Sequence, residues 1–202
     1  MTNNTNPKKK CSISFMITLI FSVIMLLGLF LPYFSATEEY KSTLEKHPDS
    51  FYSEELNMTN MDAVNVSMIE VGKIYYKGSE TFNSQAYQAF YKYYIPISII
   101  LIGLFSLLIL LCSITKKPIL MIILSILILL VFHIMNWDFT DRGIIPGNHY
   151  VFGIAYYLYY ISTILTFIGS IFGIIEKKKS IKLKRSYDKT IFQSNCSQLL
   201  LY

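Results

Sequence analysis

The chemically densest stretch of the chain is short. His133 is followed by Trp137, Asp138, Asp141, Arg142 and His149. Carboxylates and imidazoles this close in sequence could hold a cation, and an Asp with a His could pass a proton to or from a substrate. Neither chemistry finds the spacing it needs. No nucleophile stands beside a base, there is no glycine-rich phosphate loop, and the Asp and His positions match no metal-ligand pattern. The stretch therefore yields no catalytic, cofactor or metal set. It reads as a structured cap, with Trp137 at a membrane boundary, Asp paired with Arg142, and Gly143, Pro146 and Gly147 turning the chain. His133 lies at the end of an apolar run, where a structural role is the expectation and a ligand or proton site the alternative.

The elements that must position these residues are long and apolar. Cys11 to Leu31 is a run of 21 residues without a charge. At 1.5 Å per residue it reaches about 31 Å, one bilayer core. It is too long for the apolar part of a signal peptide, no small-x-small site follows it, and no lipobox precedes Cys11. Similar runs follow, and 53% of the chain is hydrophobic. The expected fold is an all-α membrane protein, with four transmembrane helices in an antiparallel bundle and a small helical extracytoplasmic domain from the first long loop. The expected segments are 1–10, a first span 11–34, a loop 35–94, a second span 95–115, a turn at 116–117, a third span 118–136, a loop 137–150, a fourth span 151–175 and a basic tail 176–202.

Charge orients the spans. Of the 18 Lys and Arg, 12 lie in the N-terminus, the 116–117 turn and the tail, with only Glu176 and Asp188 of the 13 acids beside them. Basic residues stay on the cytoplasmic side, so both termini are expected inside a plasma membrane and both loops outside. The net charge of +5 then reflects membrane asymmetry and a tail lying on anionic lipid, with no bearing on nucleic acid.

The long loop carries three local patterns. Ser35 and Glu38 fit a capping box, and a helix over 36–46 would stop before Pro48. Thr59 and Asp62 fit another. Met61, Val64, Met68, Val71 and Tyr75 then recur at helical spacing, which predicts one amphipathic helix over 59–76. The alternation of Val64, Val66 and Met68 leaves a strand open. Met68 and Val71 are expected either to pack against the second loop or, if exposed, to form a partner-binding stripe. Tyr87, Phe90, Tyr91 and Tyr94 share a helix face at a membrane boundary, with Pro96 at the first turn of the span. Gly169 and Gly173 form a small-xxx-small pair suited to close helix packing or to dimerisation.

Cys11, Cys112 and Cys196 all fall near the cytoplasmic side, so no external disulfide is expected. Claudins and tetraspanins share the topology without their first-loop cysteines being present here. Asn57 and Asn65 match glycosylation sequons. The spans hold almost no ionisable residue, which argues against a proton or ion path within one chain.

The segments PYFSATEEY, MTNMDAVNVSMIE, NWDFTDRGIIP and GIAYYL resemble those of small, uncharacterised four-span membrane proteins of low-GC Gram-positive bacteria, across about residues 15–175. The resemblance implies the topology and a bacterial plasma membrane, and it implies no activity. The functional expectation is a non-enzymatic accessory protein that binds another membrane or envelope protein through its outer loops. A component of an oligomeric transporter or channel is the alternative, and an enzyme comes third.

Overall fold

The computed structural model describes residues 13–78 and 85–199, with the side chains of 85–87, 184 and 187–199 left aside. The N-terminal lysines, Cys11 and the side chains of Tyr87 and Cys196 lie outside the described part.

The chain is a mostly helical membrane protein. Among the described residues, three helices are long and apolar enough to cross a membrane, and α1 (Ile13–Gly28) is shorter. The long ones are α5 (Gln85–Ile114), α6 (Pro118–Asp141) and α7 (Ile154–Leu199). Helix α1 packs on α7 and α5, and α6 packs on α5 and α7, which closes a four-helix ring. The turn Thr115–Lys117 joins α5 to α6 and makes them antiparallel neighbours, with Lys116 at a φ of 55°.

The surface and interior of this ring are those of a protein dissolved in lipid. Ile100, Leu111, Ile119, Leu130, Ile161 and Phe172 point outward and exposed, whereas Ser14, Thr18, Ser106, Ser125, Thr163 and Ser170 are buried between helices. Small side chains let backbones approach, and lipid gives no hydrophobic drive that would prefer large apolar groups there. Five of the six hydroxyls, those of Thr18, Ser106, Ser125, Thr163 and Ser170, donate to a carbonyl of their own helix. Ser106 donates to the Ile102 carbonyl at 2.7 Å, Ser125 to Met121 at 2.8 Å and Ser170 to Thr166 at 2.7 Å. The small-xxx-small pair is spent inside the chain. A Cβ on Gly169 would come within 2.8 Å of the Thr18 methyl, and one on Gly173 within 3.2 Å of the Phe15 ring. The pair seats α1 on α7, so its close-packing role is intramolecular.

One end of the ring carries a cap, made of residues 29–78 and 142–153. Here the all-helical expectation for the first loop is corrected. Strand β1 (Pro32–Ala36) lies between β4 (Asn65–Ser67) and β5 (Tyr150–Phe152), antiparallel to both. The hairpin β2 (Phe51–Ser53) and β3 (Met58–Thr59) flanks this sheet. Ser35 is a strand residue whose hydroxyl donates to Asn65, and α2 (Glu38–Leu44) is instead capped by Thr37. The predicted 59–76 helix is two helices, α3 (Asn60–Val64) and α4 (Met68–Gly78), with β4 between them. The physical cause is a second capping box. Ser67 N–H donates to Glu70 at 2.7 Å and Glu70 N–H to the Ser67 hydroxyl at 3.3 Å, so a new helix starts there. The Thr59–Asp62 box opens α3 as expected.

Other boundaries move as well. Helix α1 ends at Gly28 and Pro32 opens β1, so the helix stops short of residue 34, where the first span was expected to end. Helix α6 runs on to Asp141, which puts Trp137, Asp138 and Asp141 on its last turns rather than in a loop. Helix α7, where the fourth span is expected, begins at Ile154, after β5, and continues unbroken through the basic tail. Pro96 lies inside α5, which starts well before it.

Candidate functional site

Arg142 is the hub of the cap. Sitting one helical turn after Asp138, it forms an ion pair with that carboxylate. Its guanidinium stands 4.0 Å from the Tyr91 ring centroid, 5.5 Å from Tyr75 and 5.6 Å from Phe139. It also donates to the Tyr75 hydroxyl at 3.3 Å, while Tyr91 donates to Asp138 at 3.1 Å. Tyr75 comes from α4, Tyr91 from α5, and Phe139, Asp138 and Arg142 from α6 and its end. A delocalised cation that both stacks on rings and hydrogen-bonds in its plane suits such a junction. Burial raises the Tyr75 pKa above its ordinary value, with the Arg142 charge opposing it. The hydroxyl therefore stays a proton donor or acceptor of hydrogen bonds and not a base. Asp138 and Arg142 engage each other, so the cluster is a clamp between three helices.

The remaining predicted site residues are dispersed. Trp137 is 63% exposed on α6 and contributes nothing to the cap interior. Asp141 is exposed. His149 is exposed and lies on the Tyr40 ring at 4.4 Å. His133 meets the Tyr160 hydroxyl at 3.2 Å. Among the described residues, no three His, Cys, Asp or Glu side chains gather as metal ligands would. Met68 and Val71 are fully buried, so the stripe is cap core and its partner-binding reading is corrected. The two loops do meet, as the apolar face of 61–75 predicts. Phe139 and Ile145 are buried in the shared core, the Phe139 ring lies 5.7 Å from Tyr75, and Tyr150 donates to the Ala63 carbonyl at 2.8 Å. Glu70, on the same helix as Tyr75, serves the α4 cap and not the Asp138–Arg142 pair.

Two groups carry functional weight that the sequence did not mark. The first is the tie between Tyr33 and Asn136. Tyr33 is buried, donates its hydroxyl to Asn136, and stacks among Phe34, Phe132 and Phe139. Asn136 in turn donates to the Phe132 carbonyl at 2.6 Å. This pins the sheet to α6. Burial, first of all, raises the Tyr33 pKa well above its usual value.

The second is an apolar cleft of about 340 Å³ beside the sheet, lined by Phe34, Tyr52, Met58, Ile74, Tyr75 and Tyr150 among others. Tyr52 comes from the β2–β3 hairpin, which turns at Asn57 with a φ of 50°. Burial and the Tyr52 hydroxyl push Tyr40 up to about 12 and raise Tyr150 further. Tyr40 and Tyr150 are thus neutral phenols at physiological pH. On the same hairpin Phe51 is 58% exposed, and Met61, at the start of α3, is 56% exposed. The sequence signal for this feature was Phe51–Tyr52 before the turn-prone Asn57.

Comparison with protein-family models, with curated proteins and with solved structures finds no match to this chain.

Proposed function

We propose that the chain is a four-span plasma-membrane protein, with both ends cytoplasmic and the cap outside, that binds a protein partner of the membrane or envelope through the cap. It acts by binding, without catalysis. The observation that carries this reading is the exposed apolar surface of Phe51, Tyr52 and Met61 beside the cleft. These residues belong to the water-facing cap, where lipid tails cannot cover them, and exposed aromatics around a pocket are the usual anchors of an interface. The sequestering of Asp138 by Arg142 supports a scaffold role for this cluster. The asymmetry of Lys and Arg supports the orientation, and the resemblance to four-span proteins of low-GC Gram-positive bacteria supports the membrane.

Reporter fusions after residues 60 and 145 are expected to read outside, and those after 117 and 185 inside. An inside signal at 60 would overturn the orientation. A photo-crosslinker at Phe51 or Met61 in intact membranes should capture one stoichiometric species, while one at the lipid-facing Ile100 should not. Equal, scattered labelling at all three positions would defeat the binding reading.

A second reading, as one component of an oligomeric transporter or channel, draws on Ser162 and Thr166. Both are buried on α7, one turn apart, and neither hydroxyl has a hydrogen-bond partner among the described residues. Solute flux in liposomes that disappears when both are changed to Ala would favour it.

A further inference from the structure

The end of the ring opposite the cap has its own groove. It holds about 510 Å³ between the first turns of α6 and the 174–181 stretch of α7. Its wall is apolar, formed by Ile119, Leu120 and Ile123 on α6 and by Ile174 and Ile181 on α7. Its rim is cationic, formed by Lys117, Lys177 and Lys178. Ile174, Lys177, Lys178 and Ile181 stand at i, i+3, i+4 and i+7, so one face of α7 presents both parts. Glu176 falls on the opposite face of the helix. The three lysines are exposed and make no ion pair among the described residues. Pro118 occupies the first position of α6, and the N-cap Lys117 supplies no side-chain acceptor. The positive end of a 24-residue helix therefore adds to the same rim.

We propose that this groove is a binding site for one anionic phospholipid, with its phosphate held by Lys117, Lys177 and Lys178 and an acyl chain lying along Ile123 and Ile174. Two parts of the site select this occupant together. Ammonium groups and a helix N-terminus match a phosphate, and basic pockets between membrane helices at the headgroup level take such groups. The isoleucine wall continues from the rim into the lipid-facing surface, which matches the tail attached to that phosphate. A free phosphate would use the rim and leave the wall in water. The site rests on the reading that α6 and α7 lie in a bilayer.

The test uses the full chain, purified and exchanged into nanodiscs of phosphatidylcholine with or without phosphatidylglycerol, with retained lipid read by native mass spectrometry. Phosphatidylglycerol should be retained in preference to phosphatidylcholine. Lys177→Gln with Lys178→Gln should lower its retention about tenfold or more, as loss of two cations near the headgroup predicts, and Lys117→Gln should lower it further. The charge-matched control is Lys179→Gln with Lys182→Gln, which sit on another face of α7 beside Leu183 and Ser186 and should leave retention nearly unchanged. Equal losses in both pairs would reduce the effect to diffuse attraction by a basic helix and overturn the site. Displacement of the lipid by millimolar inorganic phosphate would show that the wall plays no part, and would overturn it too. Membrane integration is read separately by the fusions after 117 and 185. A chain that inserts yet retains no lipid selectively sinks the groove alone, whereas one that fails to insert sinks the membrane reading.

Discussion

Thr59 in the cap and Thr163 in the bundle carry the same side chain to different ends: the first both accepts and donates at the start of a helix, the second only donates within one. The Thr59 hydroxyl accepts the Asp62 N–H at 3.3 Å and starts a helix, whereas the Thr163 hydroxyl donates to the Tyr159 carbonyl at 2.7 Å in the middle of one. In the cap, water competes for every polar group, so hydroxyls and carboxylates are placed where helices begin and their N–H groups lack partners. In the bundle there is no water to compete, so most hydroxyls turn to a carbonyl of their own helix, Ser113 reaches across to the Phe15 carbonyl, and the side chain serves mainly as a small packing surface. The cap is consequently held by named, directional contacts, and the bundle by the closeness of backbones.

That contrast can be broken most forcefully where both modes meet. Gly153 follows β5 and leads into α7, and its N–H donates to the Tyr33 carbonyl at 2.8 Å. A Cβ there would lie 2.4 Å from the Pro32 carbonyl oxygen, which is backbone and cannot rotate away. Gly153→Val should cost about 3 kcal/mol or more, seen as loss of the folded chain on mild detergent extraction. A Gly169→Leu variant tests the bundle alone. Its clash is with the Thr18 methyl, so Thr18→Ala in the same chain should recover part of the loss. No recovery would mean that α1 and α7 are not held by this contact.

Arg142→Ala should be next in size. It removes the cation from three rings and leaves Asp138, only 18% exposed in its side chain, without its charge partner. The expected loss is about 2–3 kcal/mol, below that of a fully buried pair because the site is partly wet. Arg142→Lys should recover little, since an ammonium cannot stack and fork at once. Reversible unfolding in mixed detergent micelles reads both, and a Lys variant as stable as the parent would reduce the clamp to a point charge.

Tyr33→Phe sharpens the comparison further, because it removes one oxygen and leaves every ring contact in place. The Asn136 amide then loses its buried partner, which should cost about 1–2 kcal/mol. Asn136→Leu with Tyr33→Phe should be closer to the parent than Tyr33→Phe alone, since no buried polar group is then stranded.

How legible all this was depends on distance along the chain. Apolar runs, the lysine turn and the Thr59–Asp62 box are local statements, and each was readable. The break at 65–67 was also local, because Ser67 and Glu70 have the form of a second box, but the helical spacing of Met61, Val64, Met68 and Val71 ran straight through it. Two helices set off by a short strand can keep that spacing by chance, and the 56% exposure of Met61 beside the buried Met68 shows that the residues never formed one stripe. Of the sheet, only the alternation of Val64, Val66 and Met68 left a trace, at the place where β4 forms, and the pairing was not readable. Strand β1 pairs with segments far along the chain on both sides, and nothing in PYFSA says which. The Arg142 clamp was half readable. Its Asp138 partner is one turn away, while Tyr75 and Tyr91 arrive only through the fold.

The smallest effect isolates the water-facing mode by itself. Asp62 is exposed, yet its pKa lies below the usual aspartate value of 3.8, because its carboxylate accepts first from the Thr59 backbone N–H, at 2.9 Å, and then from the Thr59 hydroxyl, at 2.7 Å. A carboxylate whose pKa is lowered by folding stabilises the fold above its unfolded value and loses that contribution as pH falls through the lowered one. The α3 cap should therefore survive acidification past 3.8 and weaken only below it. Titration of the labelled Asp62 carboxyl carbon by NMR in detergent should give a midpoint under 3.8. Thr59→Val keeps the backbone donor and removes only the hydroxyl, so it should move that midpoint upward by the smaller share of the shift. A midpoint at or above 3.8 in the unaltered chain would show that the box does not form in solution. No such titration is expected from Thr163, whose hydroxyl has no ionised partner to report on it.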